Sequence, residues 1–248
     1  PPLPLNTLEM QKRLNRAIRV SPNEIMNLAE ELYQGGFISY PRTETDSFPH
    51  DFDYKTNIDQ LINHPSFGFH AQSLSNGRFN RPRAGSNNDN AHPPIYPTKL
   101  ASGNDYNTWR NKNQNLIKVY EFVSRHFLAT CSLPAVAHKT TVTIEMGSEH
   151  FNATGLMIKE MNYLDVYGKG PSQGPRLDPS YDSWSNNTLP TYHVGQQIVP
   201  SELRLDKSHT NAPQLLSEVD LLQKMENHQI GTDATQAAHI EKIVGERG

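Results

Sequence analysis

The chain is poor in the residues that define several protein classes. Of its 248 residues only one, Cys131, is a cysteine. That excludes a disulfide framework and a cysteine-rich zinc module, and makes a reducing, intracellular setting the expectation. No apolar run approaches the roughly 18 residues that a membrane-spanning helix needs. Apolar residues are scarce overall: 35% counting Tyr, and about 37% counting Gly in its place, against roughly 45–50% in an ordinary globular chain. A core this thin suits small subdomains or an open shape better than one ball. Excess positive charge is missing too, since 23 Lys and Arg face 26 Asp and Glu for a net charge of −3. Taken alone, that argues against a polyanionic partner. The chain is still not disordered, because aromatics reach 8% and the apolar residues recur with clear periods.

What is present is unevenly distributed. Residues 76–126 carry eight basic and three acidic side chains, whereas 1–75, 127–200 and 201–248 are each net acidic. A cationic stretch inside an acidic chain is either a solvated loop and helix face or the footprint of an anionic ligand. The chain opens Pro1-Pro2-Leu3-Pro4-Leu5, without Met or a signal peptide, and ends with a helical pattern, Gln236 to Val244, running into Gly245 and Gly248. Both ends read as cut from something longer.

Asn6 or Thr7 can cap a helix through about Ala17. Ser21, Pro22 and Glu24 form a capping-box start, and Ile25, Leu28, Ala29, Leu32 and Tyr33 follow at helical spacing until Gly35-Gly36. Two helices, a short turn and an extended Phe37-Ile38-Ser39-Tyr40 read as a helix-turn-helix leading into a wing-like strand. Residues 46–113 read as long loops, with a short helical piece near Ile58 to Asn63, before an amphipathic helix from Asn115 to Cys131. The period then changes to two over Thr140 to Ile144 and Phe151 to Ile158, with a third strand expected at Gln197 to Leu205 and a flexible insert at Gly168 to Pro179. Ser217 and Asp220 start a helix through about Asn227, and a last helix follows Gly231.

Three segments could carry chemistry. In Ile38-Ser39-Tyr40-Pro41-Arg42-Thr43-Glu44-Thr45, Pro41 forces Tyr40 into an extended conformation, which puts Arg42 on the same side. A tyrosine can act as a covalent nucleophile, but with a pKa of about 10 it needs help to ionise. Arginine supplies a fixed positive fork for phosphate oxygens. An ordinary edge turn with a packed tyrosine and a solvated arginine fits the same spacing. In Asn90-Ala91-His92-Pro93-Pro94-Ile95-Tyr96-Pro97-Thr98, three prolines fix His92 on a stiff loop. There it can donate to a phosphate, shuttle a proton, or simply be a surface histidine. In Ile230-Gly231-Thr232-Asp233-Ala234-Thr235, free N–H groups at a helix start can bind phosphate. Asp233 opposes that by repulsion or instead caps the helix, and a plain capped turn is the simpler reading. His64 and His70 lack the partners a metal site needs.

In this order and spacing the three segments closely resemble the type IA DNA topoisomerases, with wording most like the eukaryotic topoisomerase III branch. The opening Pro4-Leu5-Asn6-Thr7-Leu8-Glu9-Met10 and the stretch Met157 to Tyr167 are similar to that family as well. The resemblance implies an α+β, multidomain open arch: a helical domain with a winged-helix or helix-turn-helix unit over 1–133, a small antiparallel β gate domain over 134–205, and part of a helical base domain over 206–248. It implies that Tyr40 attacks one strand to form a 5′-phosphotyrosine, that Arg42 positions the scissile phosphate, and that His92 helps hold it. It also implies that Gly231, Thr232, Asp233 and Thr235 lie along single-stranded DNA. One strand would pass through the gap before resealing, giving relaxation and decatenation without ATP.

The family's Mg2+-binding acidic domain, with its catalytic lysine, and its C-terminal zinc or glycine-rich regions have no counterpart here, and the Gly168 to Pro179 stretch is longer than expected. The ligands of Mg2+ are therefore expected outside this chain, and the isolated 248 residues are expected not to relax supercoiled DNA. The resemblance further implies a RecQ-type helicase and an OB-fold accessory protein as partners, a monomeric chain, roles in recombination and repair, and a nuclear location. The competing expectations are a non-enzymatic winged-helix DNA-binding module and a protein-interaction module.

Overall fold

A computed structural model describes residues 1–168, 187–232 and 235–247. The expected insert lies outside the described residues from position 169 onward, as does Asp233. Helix α1 (Thr7–Ile18) starts where the Asn6 side chain accepts from the Glu9 N–H, and α2 (Pro22–Gln34) starts at Ser21, whose hydroxyl accepts from the Glu24 N–H. Both starts follow the sequence signals. Three further helices occupy the stretch expected to be mostly loop: α3 (Tyr54–Asp59), α4 (Gly68–Ser73, continued by an irregular turn over Leu74–Arg78) and α5 (Gly103–Lys112). The start of α5 was legible, because Ser102 and Asp105 form a full reciprocal capping box. Its weak apolar pattern, with only Trp109 buried, hid it.

Helix α6 (Asn115–Thr130) is the centre of the body. Every residue from Phe122 to Thr130 is buried, so its second half is enclosed on all sides. Its side chains join those of α1, α2 and α5 in one cluster that includes Leu14, Leu32, Phe37, Trp109, Tyr120 and Phe127. Cys131 closes that cluster, fully buried, and burial pushes its thiol up to about 12. The lone cysteine is thus a core side chain. The Leu5–Ile95 and Ile38–Pro97 bridges bind the N-terminal segment and the proline-rich loop to the body. The expected wing strand is reduced to that single bridge at Ile38. Pro41, Pro93, Pro94 and Pro97 remove the N–H donors with which a ladder would continue.

Beyond Pro134, β1 (Val136–Met146) and β2 (Glu149–Glu160) form one antiparallel hairpin, turned at Gly147, where φ is +65°. Gly147 supplies the positive φ that a two-residue turn requires. The third strand expected at Gln197 to Leu205 does not form, and among the described residues the outer edge of β2 is bridged by Asn187 at Leu156. Pro200 interrupts that segment's donors, while Val199 and Leu205 are almost wholly exposed. The chain returns to the body through α7 (Tyr163–Val166), held on α6 where Arg125 donates to the Val166 carbonyl at 2.7 Å. Finally α8 (Glu218–Asn227) and α9 (Gln236–Arg247) pair through Leu222, Met225 and Ile240, and rest on α1 and α2 through Lys12–Gln223 and Asn23–Glu241 contacts.

Candidate active site

The segment after α2 is extended, with a period of two. Ser39, Pro41, Thr43 and Thr45 are buried, while Tyr40 and Arg42 are half-buried and Glu44 is exposed. The buried side is bolted down. The Ser39 N–H donates to the Tyr96 carbonyl at 2.9 Å, and the Ser39 hydroxyl donates to the Pro94 carbonyl at 3.1 Å while accepting from the Tyr96 N–H at 3.0 Å. Thr7 accepts from the Thr43 N–H at 2.8 Å and donates its hydroxyl to the Pro41 carbonyl at 2.8 Å. These bonds join segments that lie 34 to 57 residues apart.

The other side carries the candidate residues. The Tyr40 ring meets the His92 ring with centroids 4.7 Å apart, and meets Tyr33 edge-on at 5.3 Å. Arg42 is ion-paired to Glu30. Glu30 and Tyr33 lie three residues apart on α2 and so share one face, against which Tyr40 and Arg42 both rest. The structure therefore places Tyr40 and Arg42 on one side, as their spacing predicts. Among the described residues the Tyr40 hydroxyl has no hydrogen-bond partner.

His92 is exposed but fixed from behind by Asp89. The Asp89 carboxylate accepts from the N–H groups of Ala91 and His92, each at 2.8 Å, and lies 3.2 Å from His92 Nδ1. Thr43 donates its hydroxyl to the same carboxylate at 3.3 Å, which ties the histidine loop to the tyrosine segment. Burial opposes ionisation of Asp89, but the two backbone N–H groups and the His92 side chain outweigh it and hold the carboxyl well below the usual carboxylate range. An anionic Asp89 places the ring hydrogen on Nδ1, leaving His92 Nε2 without a partner among the described residues.

Asp89, Glu30 and Thr43 were missed by sequence reasoning. Asp89 had a weak signal, being three residues before His92 in a turn-forming Asp-Asn pair. Glu30 had none, because its partner comes from the next element. The Gly231 segment is a compact turn: Gly231 has φ +75°, and the Thr232 N–H donates to the Thr235 hydroxyl at 3.0 Å. It precedes α9, which meets α2 near that helix's start, where Asn23 donates to Glu241. His64 and His70 are buried core residues, and among the described residues no group of three or more His, Cys, Asp or Glu is arranged to hold a metal ion.

Known proteins are similar to this chain over nearly its whole length. A family model described as DNA topoisomerase matches residues 1–247. The DNA topoisomerase 3-alpha of Arabidopsis thaliana is 45% identical over 247 residues, covering 98% of this chain and 25% of that protein. The human DNA topoisomerase 3-alpha is 43% identical over 242 residues, covering 98% of this chain and 22% of its own length. The chain thus spans about a quarter of the curated relatives it matches. In fold, it is similar to full-length topoisomerase I from Thermotoga maritima, with a TM-score of 0.65 at 19% identity, covering 99% of this chain and 38% of that one.

Proposed function

The chain belongs to the type IA DNA topoisomerases and is topoisomerase III-like, and from that membership we propose that it supplies the strand-cleaving tyrosine of its parent protein. The observation that carries this is the contact of Tyr40 with His92, on a loop pinned by Asp89, with Arg42 two residues on. In the proposed step the Tyr40 Oη attacks the phosphorus of a single-stranded phosphodiester. The Oη–P bond forms, the P–O3′ bond breaks, the phenol proton passes to a base, and the departing 3′ oxygen takes up a proton. The 3′ hydroxyl later reverses the attack. One phosphodiester is exchanged for another, so resealing needs no ATP.

Arg42 is assigned to the phosphate oxygens, with Glu30 fixing its guanidinium. His92 is assigned to the phosphate through Nε2, with Asp89 as its positioning residue. Gly231, Thr232, Asp233 and Thr235 are assigned to the flanking DNA backbone. Mg2+ is the expected cofactor, yet the residues described here do not fit it. Glu30 is engaged by Arg42, and Asp89 by His92 and two backbone N–H groups. The ligands of the ion are proposed to lie elsewhere in the parent protein.

The same reading divides the chain at 133 and 205 into a tyrosine-bearing helical domain, a gate domain within an open arch, and part of a base domain. It extends to strand passage, relaxation and decatenation, recombination and repair in the nucleus, a monomeric enzyme, and a RecQ-type helicase and an OB-fold protein as partners. The experiment uses the parent protein with a single-stranded oligonucleotide labelled at either end, quenched with denaturant. A label on the 3′ side of the cut should stay with protein, and a label on the 5′ side should be released with a free 3′ hydroxyl. Retention of the 5′-side label, or of neither, rejects the proposed polarity or the cleavage itself. Preference for one duplex sequence with no adduct would instead establish a non-enzymatic winged-helix module.

A further inference from the structure

A second feature lies on the helical body, upstream of His92. From Gln60 to Asn88 the sequence contains no Asp or Glu, yet Arg78, Arg81 and Arg83 fall within six residues of one another. All three are exposed. Their hydrogen-bond partners are neutral oxygens: Asn162 Oδ1 at 2.9 Å, the His50 carbonyl at 3.0 Å and the Pro1 carbonyl at 2.6 Å. Among the described residues none of the three makes an ion pair. Elsewhere on the same body Lys12 and Arg13 are paired to Glu9, Lys55 to Asp59 and Lys112 to Glu31. The local positive charge therefore stays uncompensated here.

An aromatic ring is interleaved with that charge. Phe79 is 41% exposed, and its ring lies 5.4 Å from that of Tyr54. The Arg81 guanidinium stands over the same Tyr54 ring at 6.0 Å, so Phe79 and Arg81 share one side of the segment. The segment is built to stay where it is. Gly77, at φ +101°, turns the chain out of α4, and the Asn80 N–H donates to the Cys131 carbonyl at 2.9 Å at the end of α6. The loop then continues through Gly85, whose N–H donates to the Asp46 carbonyl at 3.0 Å, to Asp89 and His92. A Cβ at Gly85 would lie 2.2 Å from the Asp46 carboxylate, so this close approach requires glycine.

We propose that Phe79, Arg81 and Arg83 form a tracking strip for a single nucleic-acid strand, with a base stacked on Phe79 and the two guanidiniums on backbone phosphates of the strand that reaches Tyr40. This deepens the strand-cleaving reading and rests on it. Exposed arginines without carboxylate partners gain most from a polyanion, and an exposed ring beside them suits an unstacked base, which a duplex does not offer. Arg78 is left out because it holds Asn162 at the junction with the hairpin.

The test titrates salt in binding of the parent protein to a fluorescent oligothymidylate, and to a duplex of equal length. Arg81→Ala with Arg83→Ala should lower the slope of log affinity against log salt by about 1.4, since each phosphate of a single strand that is no longer neutralised takes away roughly 0.7. Arg81→Lys with Arg83→Lys should restore the slope, which separates charge from any packing effect. Phe79→Ala should weaken single-strand binding about tenfold with the slope unchanged, and affect the duplex far less. Arg204→Ala, at an arginine already paired with Asp206, should change neither. A full slope in the double alanine variant, or an equal Phe79→Ala effect on duplex and single strand, overturns the strip. That result leaves the cleavage reading standing if the wild type still forms its adduct. A wild type that binds with the predicted slope but forms no adduct rejects the cleavage reading instead.

Discussion

In the helical body, pieces of chain far apart in sequence are tied to one another: Leu5 to Ile95, Thr7 to Thr43, Ser39 to Tyr96, Asp46 to Asn87. Over the hairpin and residues 188–216 the opposite holds. The hairpin pairs with itself, and Val194, Val199, Leu205 and Leu215 stand almost wholly in solvent. The nucleophile proposed at Tyr40 would have to be held in a fixed relation to His92 and Arg42, which calls for the first kind of construction. A hairpin that only reaches outward can be built the second way, with little buried apolar surface and low local stability. The contrast also accounts for the low apolar content, because the core is concentrated around α6 and the remaining chain contributes little to it.

The sharpest break of this contrast is Tyr40→Phe in the parent protein. It should lower covalent adduct by at least about a thousandfold while leaving thermal unfolding unchanged, because the Tyr40 hydroxyl has no hydrogen-bond partner among the described residues. The stability counterpart pairs Phe127→Ala with Leu205→Ala. Phe127 is 1% exposed, and its truncation should cost about 3–5 kcal/mol, whereas Leu205→Ala should stay within roughly 0.5 kcal/mol. Urea unfolding followed by the buried Trp109 reads both, and equal effects would erase the distinction between the two regions.

Acid should act on the body first. Burial, aided by the Arg125 charge, pushes His64 down to about 4; His70 is pushed to about 4 by burial and Arg125 against the opposing charge of Asp165. The unfolded chain takes up these protons from about pH 6.5 downward, whereas the folded chain refuses them until about 4. Stability is therefore complete above pH 6.5 and falls between 6.5 and 4, by up to about 1.4 kcal/mol per pH unit for each histidine. His64→Gln with His70→Gln should flatten that dependence in urea titrations across this range. A wild-type stability that is level from pH 7 to 4.5 would contradict it.

Asp89→Asn tests the positioning of His92. It should slow cleavage roughly tenfold and alter its pH profile, with little change in strand binding. An unaltered pH profile would reduce Asp89 to a loop brace. A local effect is expected from Gly231→Ala, where a left-handed backbone (φ +75°) and a contact of 3.1 Å to Thr235 cost about 1–2 kcal/mol of turn stability. Hydrogen exchange at the start of α9 reads that destabilisation directly.

The starts of α1, α2 and α8 were legible because a local side-chain cap marks them: Asn6, Ser21 and Ser217 all accept where the pattern places them. The period-two strands were legible for the same reason of locality, since alternation is written into adjacent residues. Helix α5 escaped because its cap was present but its apolar stripe was not. The strand expected at Gln197 to Leu205 failed because alternation specifies a face and not a partner, and Pro200 lacks the N–H that a ladder needs. At the site, Tyr40, Arg42 and His92 were legible as residue types on stiff segments, and the common side of Tyr40 and Arg42 followed from spacing. The contact between Tyr40 and His92, and the supporting roles of Glu30 and Asp89, depend on bridges between distant segments, which a linear pattern does not encode.

The central claim is that Tyr40 is the residue that takes the strand. It is tested most directly by trapping the parent protein on a single-stranded oligonucleotide, digesting the denatured adduct, and locating the nucleotide-bearing peptide by mass. The expected result is a phosphodiester-linked nucleotide on the peptide containing Ile38-Ser39-Tyr40-Pro41-Arg42 and its disappearance in Tyr40→Phe. A nucleotide on any other peptide, or an adduct undiminished in Tyr40→Phe, would contradict it.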